Sequence, residues 1–130
     1  MKTVMATLSA MALMFSTINC SGGSSSPTSP TSTTPVDTTT ITIASGGVVT
    51  PAAIRVAVGS RVTITNSDAR VHDMNSDPHP AHTECPAINW GNIQPGQSIQ
   101  SAALTTARTC GFHDHNLPDN RSLQGSILIQ

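Results

Sequence analysis

The sequence contains the stretch Ile54-Arg-Val-Ala-Val-Gly-Ser-Arg-Val-Thr-Ile-Thr65, in which apolar and polar residues alternate on both sides of Gly59 and Ser60. Alternation with a period of two is typical of β-strands that bury one face. A Gly-Ser pair between two such segments favours a tight turn. The stretch therefore predicts two strands, Ile54–Val58 and Arg61–Thr65, joined as a hairpin.

Strand-like patterns continue on both sides of this stretch, and the composition agrees with them. Val, Ile and Thr are abundant whereas Lys and Glu are nearly absent, which favours strands over helices. No helix longer than one turn is expected. Several short strands separated by Gly, Pro and Asn turns predict an all-β sandwich or barrel. The further predicted strands are Thr40–Ala44, Ser98–Thr106 and Leu123–Gln130.

Residues 69–92 lack this periodicity and contain three prolines and three histidines. We expect a long structured loop here, and loops of that length inside a small domain usually carry function. A domain of about 90 residues buries only a modest core, so a disulfide or a metal ion would help to stabilise it.

The N-terminal region has the pattern of an export signal. Basic Lys2 precedes the apolar run Val4–Phe15, which is too short to span a bilayer. Because Cys20 stands at the end of this segment, residues 1–20 resemble a bacterial lipoprotein signal in which Cys20 becomes acylated; plain secretion is the alternative. Residues 21–39, rich in Ser, Thr and Pro, predict a disordered tether, and residues 40–130 the folded domain. We expect a periplasmic or cell-surface protein that touches the membrane only through its lipid.

Charge and composition exclude several function classes. Six basic and seven acidic residues give a net charge of −1, which argues against binding to nucleic acid. Nucleophile and phosphate-loop motifs and paired catalytic carboxylates are missing, so we do not expect an enzyme. The near-neutral surface predicts no strong electrostatic steering toward a partner, and we expect a monomer.

Candidate metal ligands are concentrated in Thr109-Cys-Gly-Phe-His-Asp-His115, which we expect to form a turn before the last strand. All five histidines, and two of the three cysteines, lie between positions 72 and 115. Imidazole and thiolate together suit copper or zinc, but the paired Cys-x2-Cys spacing of zinc ribbons is absent. An early His72 followed by Cys110 and then His113 and His115 fits the two-His, one-Cys set of a blue copper centre.

The order of these motifs resembles the bacterial plastocyanin-like cupredoxins over about residues 40 to 130. The first half of that family's pattern matches the segment from Thr50-Pro51 through Gly59 and Asn66 to His72. The second half matches Ile93-Gln-Pro-Gly96, then Cys110-x2-His113, then Leu123-x-Gly125-x-Ile127.

The resemblance implies a Greek-key β-sandwich with copper at one end, acting in electron transfer with an unidentified redox partner protein. The implied ligands are His72, Cys110 and either His113 or His115. Leu123 stands where the family usually has an axial Met, so the site would have three ligands.

A disulfide between Cys85 and Cys110 is the competing hypothesis. If Cys20 is acylated, only these two thiols remain, and an oxidising compartment favours joining them. Copper would then be bound by His72, His113 and His115, with His79 or His82 as further ligands, in a copper-binding or copper-delivery module. A metal-free structural domain of the same fold is a third possibility. Asp73 and Asp114 are possible hydrogen-bond acceptors for the imidazoles. Met74 is expected in the core, and Trp90 either in the core or as an anchor for the loop.

Overall fold

A computed structural model describes residues 34–130. The predicted export signal, its Cys20 and residues 21–33 of the predicted tether lie outside the described residues. The described part is almost entirely β-structure, as predicted; its only helices are two single 3₁₀ turns, Pro86–Ile88 and Arg121–Leu123. None of the helices in residues 34–130 is long and apolar enough to cross a membrane.

Two mixed sheets face each other as a β-sandwich. Their ten strands are, in chain order, β1 (Val36–Asp37), β2 (Thr40–Ala44), β3 (Val48–Thr50), β4 (Ala53–Val56), β5 (Thr63–Asn66), β6 (His72–Ser76), β7 (Gly91–Ile93), β8 (Ser98–Gln100), β9 (Arg108–Asp114) and β10 (Gly125–Ile129). Sheet A has the order β1-β4-β10-β9-β6-β7, and sheet B has the order β3-β2-β5-β8. In sheet A, β9 is antiparallel to both of its neighbours, β10 and β6.

The core lies between the sheets and is built mainly from alternate residues of the longer strands. In β2, for example, Ile41 and Ile43 are buried while the residues beside them are more exposed. Burying one such side chain contributes about 1.5–3 kcal/mol. Met74 and Trp90 belong to this core, as predicted. Its largest fully buried side chains are Phe112, Ile41, Ile43, Ile54, Ile64, Met74, Ile88, Ile93, Leu123, Ile127, His72 and Val62.

The predicted hairpin of Ile54–Val58 with Arg61–Thr65 is wrong, because β4 belongs to sheet A and β5 to sheet B. The intervening segment crosses from one sheet to the other. Gly59 has φ +90° and donates its N–H to the Leu104 carbonyl at 2.8 Å. Period-two alternation shows that a strand buries one face, but it carries no information about which sheet the strand joins.

The expected turn at residues 109–115 is also corrected, because Arg108–Asp114 forms β9 near the centre of sheet A. Its alternation is hidden because, over residues 110–114, the side chains on both faces are partly or fully buried. The predicted strand Ser98–Thr106 ends at Gln100, and the predicted loop of residues 69–92 contains β6 and the first two residues of β7.

Candidate metal centre

Four imidazole rings converge on the outer face of sheet A. The ligand atoms of His79, His82 and His113 all lie within 4.8 Å of one another. The His115 ring adjoins them, with its centroid 4.7 Å from that of His79 and 4.9 Å from that of His82. We call these four residues the histidine cluster.

The period of a strand places two of the four rings. Along β9 the buried Cys110, Phe112 and Asp114 face the sandwich core. His113 therefore points to the opposite face, and His115, two residues further, follows it. Register agrees, because His113 pairs with Asn75 of β6, on the face opposite to Met74 and Ser76.

The other two rings come from residues 77–85, which we call the histidine loop. It follows β6 directly and lies against β9, where the Asp77 N–H donates to the Gly111 carbonyl at 3.1 Å. Gly111 lets the two segments approach closely, because a Cβ at this position would meet the Asp77 carboxylate and force it to move aside. Within the loop, the His82 N–H donates to the Pro78 carbonyl at 2.8 Å. The loop thus closes over β9 and brings His79 and His82 to the two strand histidines.

Hydrogen bonds fix which nitrogens of two rings face the cluster. Nδ1 of His113 lies 2.6 Å from Asp77 Oδ1, and Nδ1 of His82 lies 2.8 Å from the Ser76 carbonyl. Since both partners are acceptors, each Nδ1 is a donor and each Nε2 keeps its lone pair. Carboxylate or carbonyl acceptors behind an imidazole are the usual support of metal-binding histidines.

The Nε2 atom of His113 is buried and has no hydrogen-bond partner among residues 34–130. A buried polar atom left unpaired costs about 1–3 kcal/mol, so such an atom calls for an explanation. Nε2 of His82 faces Nδ1 of His115 at 2.7 Å. A metal ion in the cluster would satisfy the lone pair of His113 and replace the contact between His82 and His115.

Local backbone geometry and electrostatics support the same interpretation. His82 has φ +52°, a left-handed conformation that is uncommon for residues other than glycine and clusters at functional sites. His79 is exposed, and its pKa is lowered, first by partial removal from water and then by the neighbouring His115, His113 and His82. A lowered pKa favours the neutral imidazole that a metal ion requires.

The cluster borders a groove of about 400 Å³ on one side. His79 and His113 line it, together with the carboxylates of Asp77 and Asp119. An ion bound to the cluster would therefore be accessible to solvent and small solutes from this groove.

His72, the first predicted ligand, lies on the opposite face of sheet A. It pairs with buried Ile93 and points into the core, where 1% of its side chain is exposed. Its Nδ1 lies 2.7 Å from Asp114 Oδ2 and its Nε2 lies 3.0 Å from Asp68 Oδ2. Neither ring nitrogen is free for a metal ion.

Asp68 is the hub of this second network. Its Oδ1 accepts the Gly46 N–H at 3.0 Å, and its Oδ2 also meets Arg70 Nε at 3.1 Å. The Gly46 N–H, followed by the His72 ring, holds the pKa of Asp68 well below its ordinary value. His72 is thus part of a buried ionic network that joins Asp68 to Asp114.

Cys110, the predicted thiolate, forms a disulfide with Cys85, with a Cα–Cα distance of 5.9 Å. A disulfide sulfur carries no thiolate, so Cys110 is not available as a ligand while the bond is intact. The bond holds the end of the histidine loop against β9 on the core side of the sheet. The structure therefore contains the disulfide of the competing hypothesis and not the free Cys110 thiolate of a blue copper centre.

The predicted ligands were His72, Cys110, His113 and His115. The structure brings His113 and His115 together but separates both of them from the other two. Their partners are His79 and His82, which the sequence offered only as further ligands. The signal for them was the spacing of Asp77-Pro-His-Pro-Ala-His82, in which two histidines three residues apart share one short loop. Asp114 accepts from His72 rather than from a cluster histidine, and Asp77 takes the supporting position instead.

No protein-family model matches the sequence, and no match was found among curated proteins. Solved structures do match. A purple cupredoxin from Nitrosopumilus maritimus superposes with a TM-score of 0.60 and 18% identity, over 72% of this chain and 100% of that one. Plastocyanin from Dryopteris crassirhizoma gives a TM-score of 0.55 and 16% identity, over 70% and 99%. A Cu(I) form of an amicyanin mutant gives 0.52 and 19%, over 70% and 80%. The protein has the cupredoxin fold, as its sequence motifs predict.

Proposed function

We propose that this protein is a copper-binding protein of the cell envelope that holds one ion in the histidine cluster. The observation that carries the proposal is the buried Nε2 of His113, which has no partner in residues 34–130 and belongs to a cluster whose ligand atoms lie within 4.8 Å of one another. Imidazole donors suit copper, zinc and nickel, and divalent copper binds such sites most tightly of the three. The Cu(I) form of an amicyanin mutant among the matched structures supports the choice of copper.

The residues present fit copper bound by nitrogen rather than by sulfur. His82 and His113 would bind through Nε2, because their Nδ1 atoms are engaged with Ser76 and Asp77. The exposed His79 and the partly buried His115 would provide the remaining ligands. Copper supplies a one-electron couple between Cu(I) and Cu(II) when it is bound.

Electron transfer to a protein partner is the role we propose for the bound ion. Plastocyanin among the matched structures is known in both oxidised and reduced states, which supports a one-electron role for this fold. Copper storage or delivery is the competing role, favoured by the exposure of His79 beside the open groove. Neither role requires a catalytic acid, base or nucleophile, so we propose a carrier and not an enzyme.

Location in the envelope rests on the N-terminal sequence. We propose that residues 1–20 direct export, that Cys20 is acylated and that residues 21–35 link the lipid to the domain, whose first strand is β1 (Val36–Asp37). The disulfide between Cys85 and Cys110 supports an oxidising compartment, because reducing compartments keep cysteine thiols reduced. The domain would then act as a monomer tethered to the membrane.

Copper titration of the metal-free protein tests the binding site. We expect one ion per chain and a pale protein, without the intense absorption at about 600 nm that a copper thiolate produces. His113→Ala should lose the bound ion, whereas His72→Gln should keep the stoichiometry although it disturbs the ionic network. An intense blue band in the wild-type protein, or copper binding that survives His113→Ala and fails in His72→Gln, would contradict the proposal.

Voltammetry separates the two roles. A reversible one-electron couple, with copper retained in both states, supports electron transfer. Release of the ion on reduction supports delivery. A protein that binds no copper in either state would leave the cupredoxin fold as a structural domain.

A further inference from the structure

Asp77 makes three contacts that place it between the histidine loop and β9. Its Oδ1 lies 2.6 Å from Nδ1 of His113. Its N–H donates to the Gly111 carbonyl at 3.1 Å, and its carbonyl accepts the Glu84 N–H at 2.8 Å. The backbone contacts hold the residue in place, and the side chain is left to act on one ring.

The contact with His113 decides the state of that ring. A neutral imidazole carries its proton on one nitrogen only. Because a carboxylate accepts at Nδ1, the proton stays there and the lone pair stays on Nε2. That Nε2 is the buried atom without a partner in residues 34–130, so the carboxylate leaves the lone pair of His113 on the nitrogen that is free for a metal ion.

Exposure separates this effect from a simple stabilising ion pair. The Asp77 side chain is 47% exposed, whereas that of His113 is 4% exposed. Ion pairs with a solvated partner contribute little to folding. A short bond from a half-exposed carboxylate to a buried ring is therefore more effective in orienting the ring than in stabilising the fold.

We propose that Asp77 is the positioning residue of the histidine cluster, which holds His113 as the Nδ1–H tautomer with Nε2 directed at the metal ion. The inference rests on the proposed copper site and adds a residue that does not itself bind the ion. Residues in this position behind a metal-binding histidine typically change metal affinity by about 10- to 100-fold. We expect a change of that size here.

The test uses Asp77→Asn in the full chain, with Glu84→Gln as the matched control. Asparagine keeps the size of the side chain but removes its charge, and its amide group can donate to Nδ1 and so allow the other tautomer. Glu84 is a carboxylate of the same loop; it accepts the Gly111 N–H at 3.4 Å and makes no hydrogen bond to an imidazole within residues 34–130. The control therefore loses a loop carboxylate without losing a contact to a ring.

Nitrogen NMR of the metal-free proteins at about pH 8, above the ordinary pKa of a histidine side chain, reports the tautomer of His113. Copper titration and urea unfolding are measured on the same samples. We expect the Nδ1–H tautomer in the wild type, and a mixture of tautomers with at least tenfold weaker copper binding in Asp77→Asn. Glu84→Gln should match the wild type in both measurements, and unfolding should show that both variants are folded.

Other outcomes overturn the inference. The Nε2–H tautomer in the wild type would do so, as would unchanged tautomer and affinity in Asp77→Asn, or an equal loss of affinity in Glu84→Gln. A wild-type protein that binds no copper would overturn the proposed function. In that case the NMR measurement on metal-free protein would still decide whether Asp77 sets the tautomer of His113.

Discussion

His72 and His113 show how one residue type takes opposite roles on the two faces of one sheet. His72 is buried with a carboxylate at each nitrogen, and His113 is buried with a carboxylate at only one. The first ring is fully satisfied, while the second has a lone pair with no partner in the described part of the chain. The number of acceptors around each ring, and not its place in a sequence motif, separates the structural histidine from the candidate ligand.

The Asp68 network predicts a specific response to acid. Since the pKa of Asp68 is lower in the folded than in the unfolded protein, its stabilising effect is present above the unfolded pKa and lost as pH falls. We expect Asp68→Asn to reduce the free energy of unfolding at neutral pH and to flatten its decline from about pH 5 to pH 2. Urea unfolding across that range measures both effects.

Asp37→Asn is the matched control for that measurement, because Asp37 forms an ion pair with Arg55 at the surface, with 76% of its side chain exposed. Exposed pairs contribute little to stability. The control should follow the wild-type pH curve. Parallel pH curves for Asp68→Asn and the wild type would contradict the assignment.

Among the elements, the histidine loop and β9 depend on close approach at Gly111. Gly111→Ala places a Cβ where the Asp77 carboxylate lies. The carboxylate is the end of a flexible side chain, so it can rotate away, but it must then release His113. We expect a small change in the stability of the metal-free protein, within about 1 kcal/mol, and about tenfold weaker copper binding.

Calorimetric copper titration and thermal unfolding check this pair of effects. Thr109→Ala is the control, because Thr109 is an exposed residue two positions earlier on the same strand. It changes the β-propensity of β9 without touching Asp77. Copper affinity that falls equally in both variants would indicate a general effect on the strand instead of a collision at residue 111.

The disulfide predicts a second effect at this scale. It joins residues 25 positions apart, and the chain-entropy model gives about 3.5 kcal/mol for a loop of that size. We expect the double variant Cys85→Ala with Cys110→Ala to lose stability of that order in urea unfolding. Its copper stoichiometry should persist, because neither sulfur belongs to the histidine cluster.

Reduction of the wild-type protein provides the complementary measurement. Cys110 faces the core side of β9 while His113 faces the outer side. Freeing the thiol therefore should not produce a blue copper centre. Intense visible absorption on adding copper to the reduced protein would show that the Cys110 thiolate reaches the copper ion. That result would contradict the placement of Cys110 and His113 on opposite faces of β9.

At the scale of the molecule, the sequence predicts the class of fold and the residue types of the site but not their arrangement. Alternation identified β2 and the strands that flank Gly59, and clustered histidines indicated a metal site. Alternation is the same for strands of either sheet, so the predicted hairpin failed. The predicted ligand set combined residues that lie on opposite faces of sheet A. The sequence of β9 does not reveal its two faces, because the histidine loop covers the outer face and shields residues there from solvent.

Copper binding should couple the histidine loop to the stability of the whole domain. Two of the proposed ligands lie on the histidine loop and the other two lie in β9 or directly after it, so unfolding must disperse them. An ion that binds only the folded state, at a free concentration 100 times its dissociation constant, adds about 2.7 kcal/mol to the free energy of unfolding. Each further tenfold increase in free copper should add about 1.4 kcal/mol.

Urea unfolding at several buffered copper concentrations measures this dependence. His82→Ala removes one loop ligand, and its unfolding curves should respond much less to copper. Zinc at the same free concentration should stabilise the wild type less than divalent copper, since imidazole sites bind copper more tightly. Equal stabilisation of the wild type and His82→Ala would mean that copper acts elsewhere on the protein, because only an ion held between the loop and β9 depends on both.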